Sequence, residues 1–189
     1  EPGSVFKLIT AAAALDSGAC KPTDYFTCAG RITVAGTRFR CANGHIHGSE
    51  TFARGLAVSC NPCFIQIGAR LGKERFCDYF AAFGLREPTG IDLPGEASTA
   101  SLIFSEEQLA RTESNLAVSS FGQGFNVTMI QLASSFCSLI NGGNIYQPHV
   151  VKKIVDSSGN TVQEISPVVT KETVSQEVSD TLRDYMYTV

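Results

Sequence analysis

Ser4 and Lys7 stand three residues apart at the head of an apolar run, Ser4-Val5-Phe6-Lys7-Leu8-Ile9-Thr10, followed by alanines from Ala11 to Ala14. Residues i and i+3 share one face of a helix, so the Lys7 amine can reach the Ser4 hydroxyl. A serine hydroxyl is a weak nucleophile at neutral pH and needs a base beside it. A lysine can be that base when burial lowers its pKa, and Val5, Phe6, Leu8 and Ile9 offer the apolar wall. The helix start adds free N–H groups and a positive field, which suit a developing oxyanion. On this spacing alone, the plainer reading is an exposed helix start with a solvated lysine.

Two further stretches carry usable groups. Ser59-Cys60-Asn61 lies on a turn between two expected helices, 55 residues after Ser4. Its hydroxyl can relay a proton and its amide can hold a carbonyl. Taken singly, Ser59 and Asn61 read as turn and cap residues. Ser119-Ser120-Phe121-Gly122-Gln123-Gly124 is a glycine-punctuated loop, and Thr128 with Gln131 fits a capping box.

The chain has seven cysteines, an odd count that argues against a fully paired disulfide framework. Cys28 and Cys41 flank a strand–turn–strand pattern, Arg31–Val34 and Thr37–Arg40 around Ala35-Gly36. A hairpin there could join the two thiols as a disulfide; the alternative is two reduced, packed thiols. Cys60-Asn61-Pro62-Cys63 is formally a C-x-x-C, but no second such pair or suitably spaced histidine pair accompanies it. No metal site and no thioredoxin-like role is expected from it.

These residues need elements to hold them. A length of 189 residues with 43% hydrophobic content is enough for one core-forming domain. A net charge of −3 gives no case for nucleic acid. No apolar run is long enough to span a membrane, and Glu1-Pro2-Gly3-Ser4 lacks the basic start of a signal peptide. Helices are predicted over about 4–15, 51–56, 62–71, 73–83 and 105–110, from Thr128 to about Ile140, and from about Ser175. In the last, Val178, Leu182, Tyr185, Met186 and Val189 share a face. Asn61 is predicted as an N-cap, with Pro62 as the first helical residue. Residues 85–104 read as irregular, and Val150–Val155 with Thr161–Ile165 as a hairpin.

In this order and spacing the motifs resemble the transpeptidase domain of the class B penicillin-binding proteins of bacteria. That family's signature opens with Ser-x-x-Lys, continues with a Ser-x-Asn-type motif and ends with Lys-Thr-Gly. The resemblance rests on Glu1-Pro2-Gly3-Ser4-Val5-Phe6-Lys7, His47-Gly48, Ser59-Cys60-Asn61-Pro62, Phe121-Gly122-Gln123-Gly124, Thr128 with Gln131, and Asn141-Gly142-Gly143 followed by Pro148. It covers nearly the whole chain, and the Cys28–Cys41 segment is most similar to clostridial members. The resemblance implies an α+β, penicillin-binding protein/β-lactamase-like transpeptidase fold.

It further implies that Ser4 is acylated by a peptidoglycan stem peptide ending in D-Ala-D-Ala, or by a β-lactam, with no cofactor. Lys7 would be the base and Ser59 the proton relay. Asn61, Gln123, Gly124 and Thr128 would contact substrate. A glycosyltransferase partner and a bacterial membrane location, with the catalytic face on the extracytoplasmic side, also come with the family. The Lys-Thr-Gly motif is missing, since none of Lys7, Lys21, Lys73, Lys152, Lys153 and Lys171 precedes Thr-Gly or Ser-Gly.

The chain is therefore expected to be a single partial domain over 1–189, cut at both ends. It should hold the helical part and a few short hairpins without most of the central sheet. An exposed apolar face on the first helix, and little or no activity alone, follow from that. The rival readings are a β-lactamase or β-lactam sensor of the same fold, and a non-catalytic helical scaffold.

Overall fold

The computed structural model describes residues 1–188. Gly3–Phe6 form one 3-10 turn that runs directly into α1 (Lys7–Asp16). Then follow β1 (Tyr25–Cys28), β2 (Arg31–Val34), β3 (Thr37–Arg40), β4 (Gly48–Thr51), α2 (Phe52–Ala57), α3 (Asn61–Leu71) and α4 (Lys73–Ala82). After an irregular stretch come α5 (Glu106–Arg111), α6 (Glu113–Ser119), α7 (Met129–Ile140), β5 (Asn144–Tyr146), β6 (Lys153–Val155), β7 (Thr161–Glu164), β8 (Val169–Glu172) and α8 (Gln176–Met186).

All strands among the described residues pair two by two and antiparallel: β1 with β4, β2 with β3, β5 with β8 and β6 with β7. The α+β class holds, with helices dominant and no large central sheet among these residues.

Helix α1 is the axis of the packing. Ile9 and Ala11 to Ala14 are buried, and α2, α3, α4, α7 and α8 all pack against it. Small side chains let those helices approach closely, so the alanine run specifies a central helix. The expected bare apolar face on this helix is not there, because α7 and α8 already cover it. Exposed apolar side chains lie elsewhere, at Ile140 and Tyr187 among others.

Most helix starts sit where their caps dictate. Thr51, Ser105, Thr128 and Ser175 each accept a backbone N–H from the first turn of α2, α5, α7 and α8. Two details differ from the expectation. The cap of α3 is Cys60, whose sulfur accepts from Cys63 N–H, and Asn61 is the first helical residue. Helix α6 was not anticipated; Thr112, in an extended conformation, breaks α5 and caps α6 in one step. Strands β1 and β4 also escaped, because their pairing joins Tyr25 to Thr51 across a long loop and leaves no local signature. Val189, the last member of the predicted face of α8, lies outside the described residues.

Candidate active site

Ser4 is exposed on the 3-10 turn, while Phe6 and Lys7 beneath it are buried. Phe6 anchors the turn in an aromatic cluster, with ring centres 4.8 Å from Phe125 and 5.3 Å from Phe80. Lys7 is 1% exposed. Its Nζ donates to Ser4 Oγ at 3.1 Å, Ser59 Oγ at 2.8 Å and the Ser59 carbonyl at 2.7 Å. Burial lowers its pKa from 10.5 to about 8, opposed by the nearby thiols of Cys41, Cys60 and Cys63. A shielded lysine at hydrogen-bond distance from an accessible serine is the arrangement a lysine-activated nucleophile needs.

Ser59 reaches this network from the turn between α2 and α3. Its N–H donates to Leu56 O at 2.9 Å and Cys60 N–H to Gly55 O at 2.9 Å, so the end of α2 sets the turn. Ser59 has φ of +51°, in the left-handed region that non-glycine residues avoid. The turn holds this conformation with both the carbonyl and the hydroxyl of Ser59 on Lys7 Nζ.

The other expected contacts divide. Asn61 Nδ2 donates to Arg40 O at 3.0 Å, tying α3 to the β2–β3 hairpin. Gln123 and Gly124 are exposed; Gly124 N–H donates to the Glu1 carboxylate at 2.8 Å. Thr128 is the N-cap of α7, accepting Gln131 N–H at 3.1 Å, and that engagement gives its hydroxyl a structural task. Gln131 is buried, and its Nε2 donates to the carbonyls of Leu85 and Glu87, which fastens the irregular stretch to α7.

Gly122 is the position whose role sequence reasoning missed. Its carbonyl accepts Gly3 N–H at 2.8 Å, and a Cβ on it would fall 2.0 Å from Gly3 O. It therefore fixes the backbone just ahead of Ser4.

Comparison with known proteins gives the family. The whole chain, residues 1–189, matches the family described as "Penicillin binding protein transpeptidase domain". The chain belongs to the penicillin-binding protein transpeptidase family. Stage V sporulation protein D of Bacillus subtilis is 39% identical over 97% of this chain and 28% of its own length. Penicillin-binding protein PbpB of Mycolicibacterium smegmatis is 32% identical over 100% of this chain and 28% of its own length. The chain thus spans less than a third of the length of these relatives.

Among solved structures, the D,D-transpeptidase domain of a peptidoglycan glycosyltransferase from Eggerthella lenta superposes with TM-score 0.89 at 25% identity. It covers 97% of this chain and 47% of that one. Penicillin-binding protein A of Mycobacterium tuberculosis, as an acyl-enzyme with ceftriaxone, gives 0.87 at 25% identity, covering 99% and 42%.

The sequence leaves the Cys28–Cys41 pair open between a disulfide and two reduced, packed thiols. All seven cysteines are unbonded, so the Cys28–Cys41 disulfide is absent. Cys41 Sγ instead lies 3.9 Å from Cys60 Sγ and 3.7 Å from His47 Nδ1. With Cys28, these side chains bring four donor atoms within 4.8 Å of one another. The expectation of no metal site weighed only Cys60 and Cys63, neighbours in sequence; the structure brings four possible donors together from separate segments.

Proposed function

We propose that this chain is part of a peptidoglycan D,D-transpeptidase in which Ser4 carries the acyl group. The observation that carries the reading is the network in which buried Lys7 Nζ joins Ser4 Oγ at 3.1 Å and Ser59 Oγ at 2.8 Å. Neutral Lys7 takes the Ser4 proton as Oγ attacks the carbonyl between the two terminal D-alanines of a stem peptide. The C–N bond then breaks. Ser59, bonded to Lys7, passes a proton to the leaving nitrogen, and D-alanine departs. An amine of a neighbouring stem attacks the ester, the peptide cross-link forms, and Ser4 Oγ regains its proton.

The Ser4 backbone N–H, at the start of a helical turn, is one oxyanion donor. Asn61, two residues after Ser59, holds the substrate's side-chain amide, and Gln123 and Gly124 contact the bound peptide. β-Lactams enter by the same attack, and their ring-opened ester hydrolyses slowly. A glycosyltransferase partner and a bacterial membrane location with the site on the extracytoplasmic side accord with a peptidoglycan substrate.

The 189-residue chain by itself has little or no turnover, since the sheet strand carrying Lys-Thr-Gly is not in it. The test is a paired assay on the longer protein: release of D-alanine from a stem-peptide donor, and turnover of a chromogenic β-lactam. D-Alanine release that vanishes in Ser4→Ala, with a stoichiometric β-lactam burst and slow turnover, is expected. Rapid, sustained β-lactam turnover without D-alanine release would instead make the protein a β-lactamase.

A further inference from the structure

We propose that Cys28, Cys41, His47 and Cys60 form a structural zinc site that clamps the active-site turn next to Ser59. The inference stands independently of the acyl-transfer reading. A zinc ion with Zn–S of about 2.3 Å and Zn–N of about 2.0–2.1 Å sets tetrahedral S···S edges of about 3.8 Å and S···N edges of about 3.6 Å. The Cys41–Cys60 and Cys41–His47 separations, 3.9 Å and 3.7 Å, are close to those edges. A disulfide requires about 2.05 Å between sulfurs, far shorter than the observed contact.

The fold assembles the donors through long-range pairing. Cys28 ends β1 and pairs with Gly48, which sets the neighbouring His47 beside it. Cys41 N–H donates to Gly30 O at 2.9 Å, returning the exit of β3 to the end of β1. Cys60 arrives as the cap of α3, and Cys63 N–H donates to its sulfur at 3.4 Å, a contact that suits a thiolate. Cys63 itself is outside the cluster.

Glu50 is a second, independent sign. It is 3% exposed, neither carboxylate oxygen has a hydrogen-bond partner, and Oε2 lies 3.9 Å from His47 Nδ1. An unpartnered carboxylate is costly to bury. Buried charges are paired or sit beside a metal, and a cation held by the cluster would offset this one.

Three thiols and one imidazole favour zinc over calcium or magnesium, which prefer oxygen. Four protein donors leave no open position, so the site is structural. Each thiol gives its proton to solvent on ligation, and no redox step is involved. The ion would join the end of β1, the exit of β3, the entry to β4 and the cap of α3. Because Cys60 lies between Ser59 and Asn61, it would hold the turn whose carbonyl and hydroxyl face Lys7.

Elemental analysis of the purified protein should find about one zinc per chain, the stoichiometry of a closed four-ligand site. Replacement by cobalt(II) should give thiolate charge-transfer bands and the intense visible bands of a tetrahedral ion. Cys41→Ser and His47→Ala should lower zinc affinity about tenfold or more, whereas Cys63→Ser and Cys137→Ser should keep it. Should the ligand variants fail to fold, the cobalt spectrum of the unaltered protein still decides. Folded protein without stoichiometric zinc and without cobalt–thiolate bands would overturn the proposal. So would unchanged metal affinity in Cys41→Ser and His47→Ala, or a Cys28–Cys41 disulfide found by peptide mapping.

Discussion

In the proposed reaction Lys7 serves two states that make opposite demands on its proton. As an ammonium it has three N–H groups, and Ser4 Oγ, Ser59 Oγ and the Ser59 carbonyl match them one for one. As a base it must lose one proton and accept the Ser4 hydroxyl. Burial sets that balance by lowering the pKa to about 8. β-Lactam acylation should therefore rise about tenfold per pH unit below that value and level off above it; a flat profile from pH 6 to 9 would contradict a lysine base.

The same shift bears on stability. The folded state binds fewer protons than the unfolded one between about 8 and 10.5, so this group's contribution to stability rises with pH across that window. Lys7→Ala should slow acylation by about 10²–10⁴-fold. Lys7→Arg should not rescue it, because a guanidinium stays protonated; acylation kinetics of the two variants check both points. The Ser4–Lys7 pairing was legible because helical periodicity is local. The left-handed Ser59 backbone was not, since nothing in Ser59-Cys60-Asn61 marks a positive φ.

At the scale of elements, the Gly122 turn and the cap of α7 separate positioning from chemistry. Gly122 has φ of +85°, and a Cβ there would collide with Gly3 O. Gly122→Ala should destabilise the protein by about 1–3 kcal/mol and slow acylation by displacing the backbone ahead of Ser4; thermal unfolding and acylation rates report the two effects. Thr128→Ala should lower stability by about 0.5–2 kcal/mol through loss of the cap, with the acylation rate of the folded protein unchanged. A loss of acylation without a loss of stability would return Thr128 to the substrate.

The cap at Thr128 was readable because cap and partner lie within one turn. The start of α3 was misplaced by one residue because a cysteine sulfur, an uncommon cap, took the place expected of Asn61. The pairings of β1 with β4 and β5 with β8 depend on distant segments, which no local pattern announces.

For the molecule as a whole, the alanine helix α1 is the structural axis, and the 3-10 turn bearing Ser4 runs directly into it. Burial of α1 by α2, α3, α4, α7 and α8 holds Lys7, and the turn ahead of it, on a rigid element. The helical architecture and the Ser4–Lys7–Ser59 site were largely legible, because their signals are local motifs in a fixed order. The gathering of Cys28, Cys41, His47 and Cys60 was not, because it follows from strand register and from the cap of α3.

The central claim is that Ser4 is the acylated residue. The direct measurement is peptide mapping, by mass, of the full-length protein bearing this sequence after exposure to benzylpenicillin. The account predicts one drug adduct on the peptide bearing Ser4, lost in Ser4→Ala. A folded protein that carries no adduct at Ser4, or carries it on another residue, would contradict it.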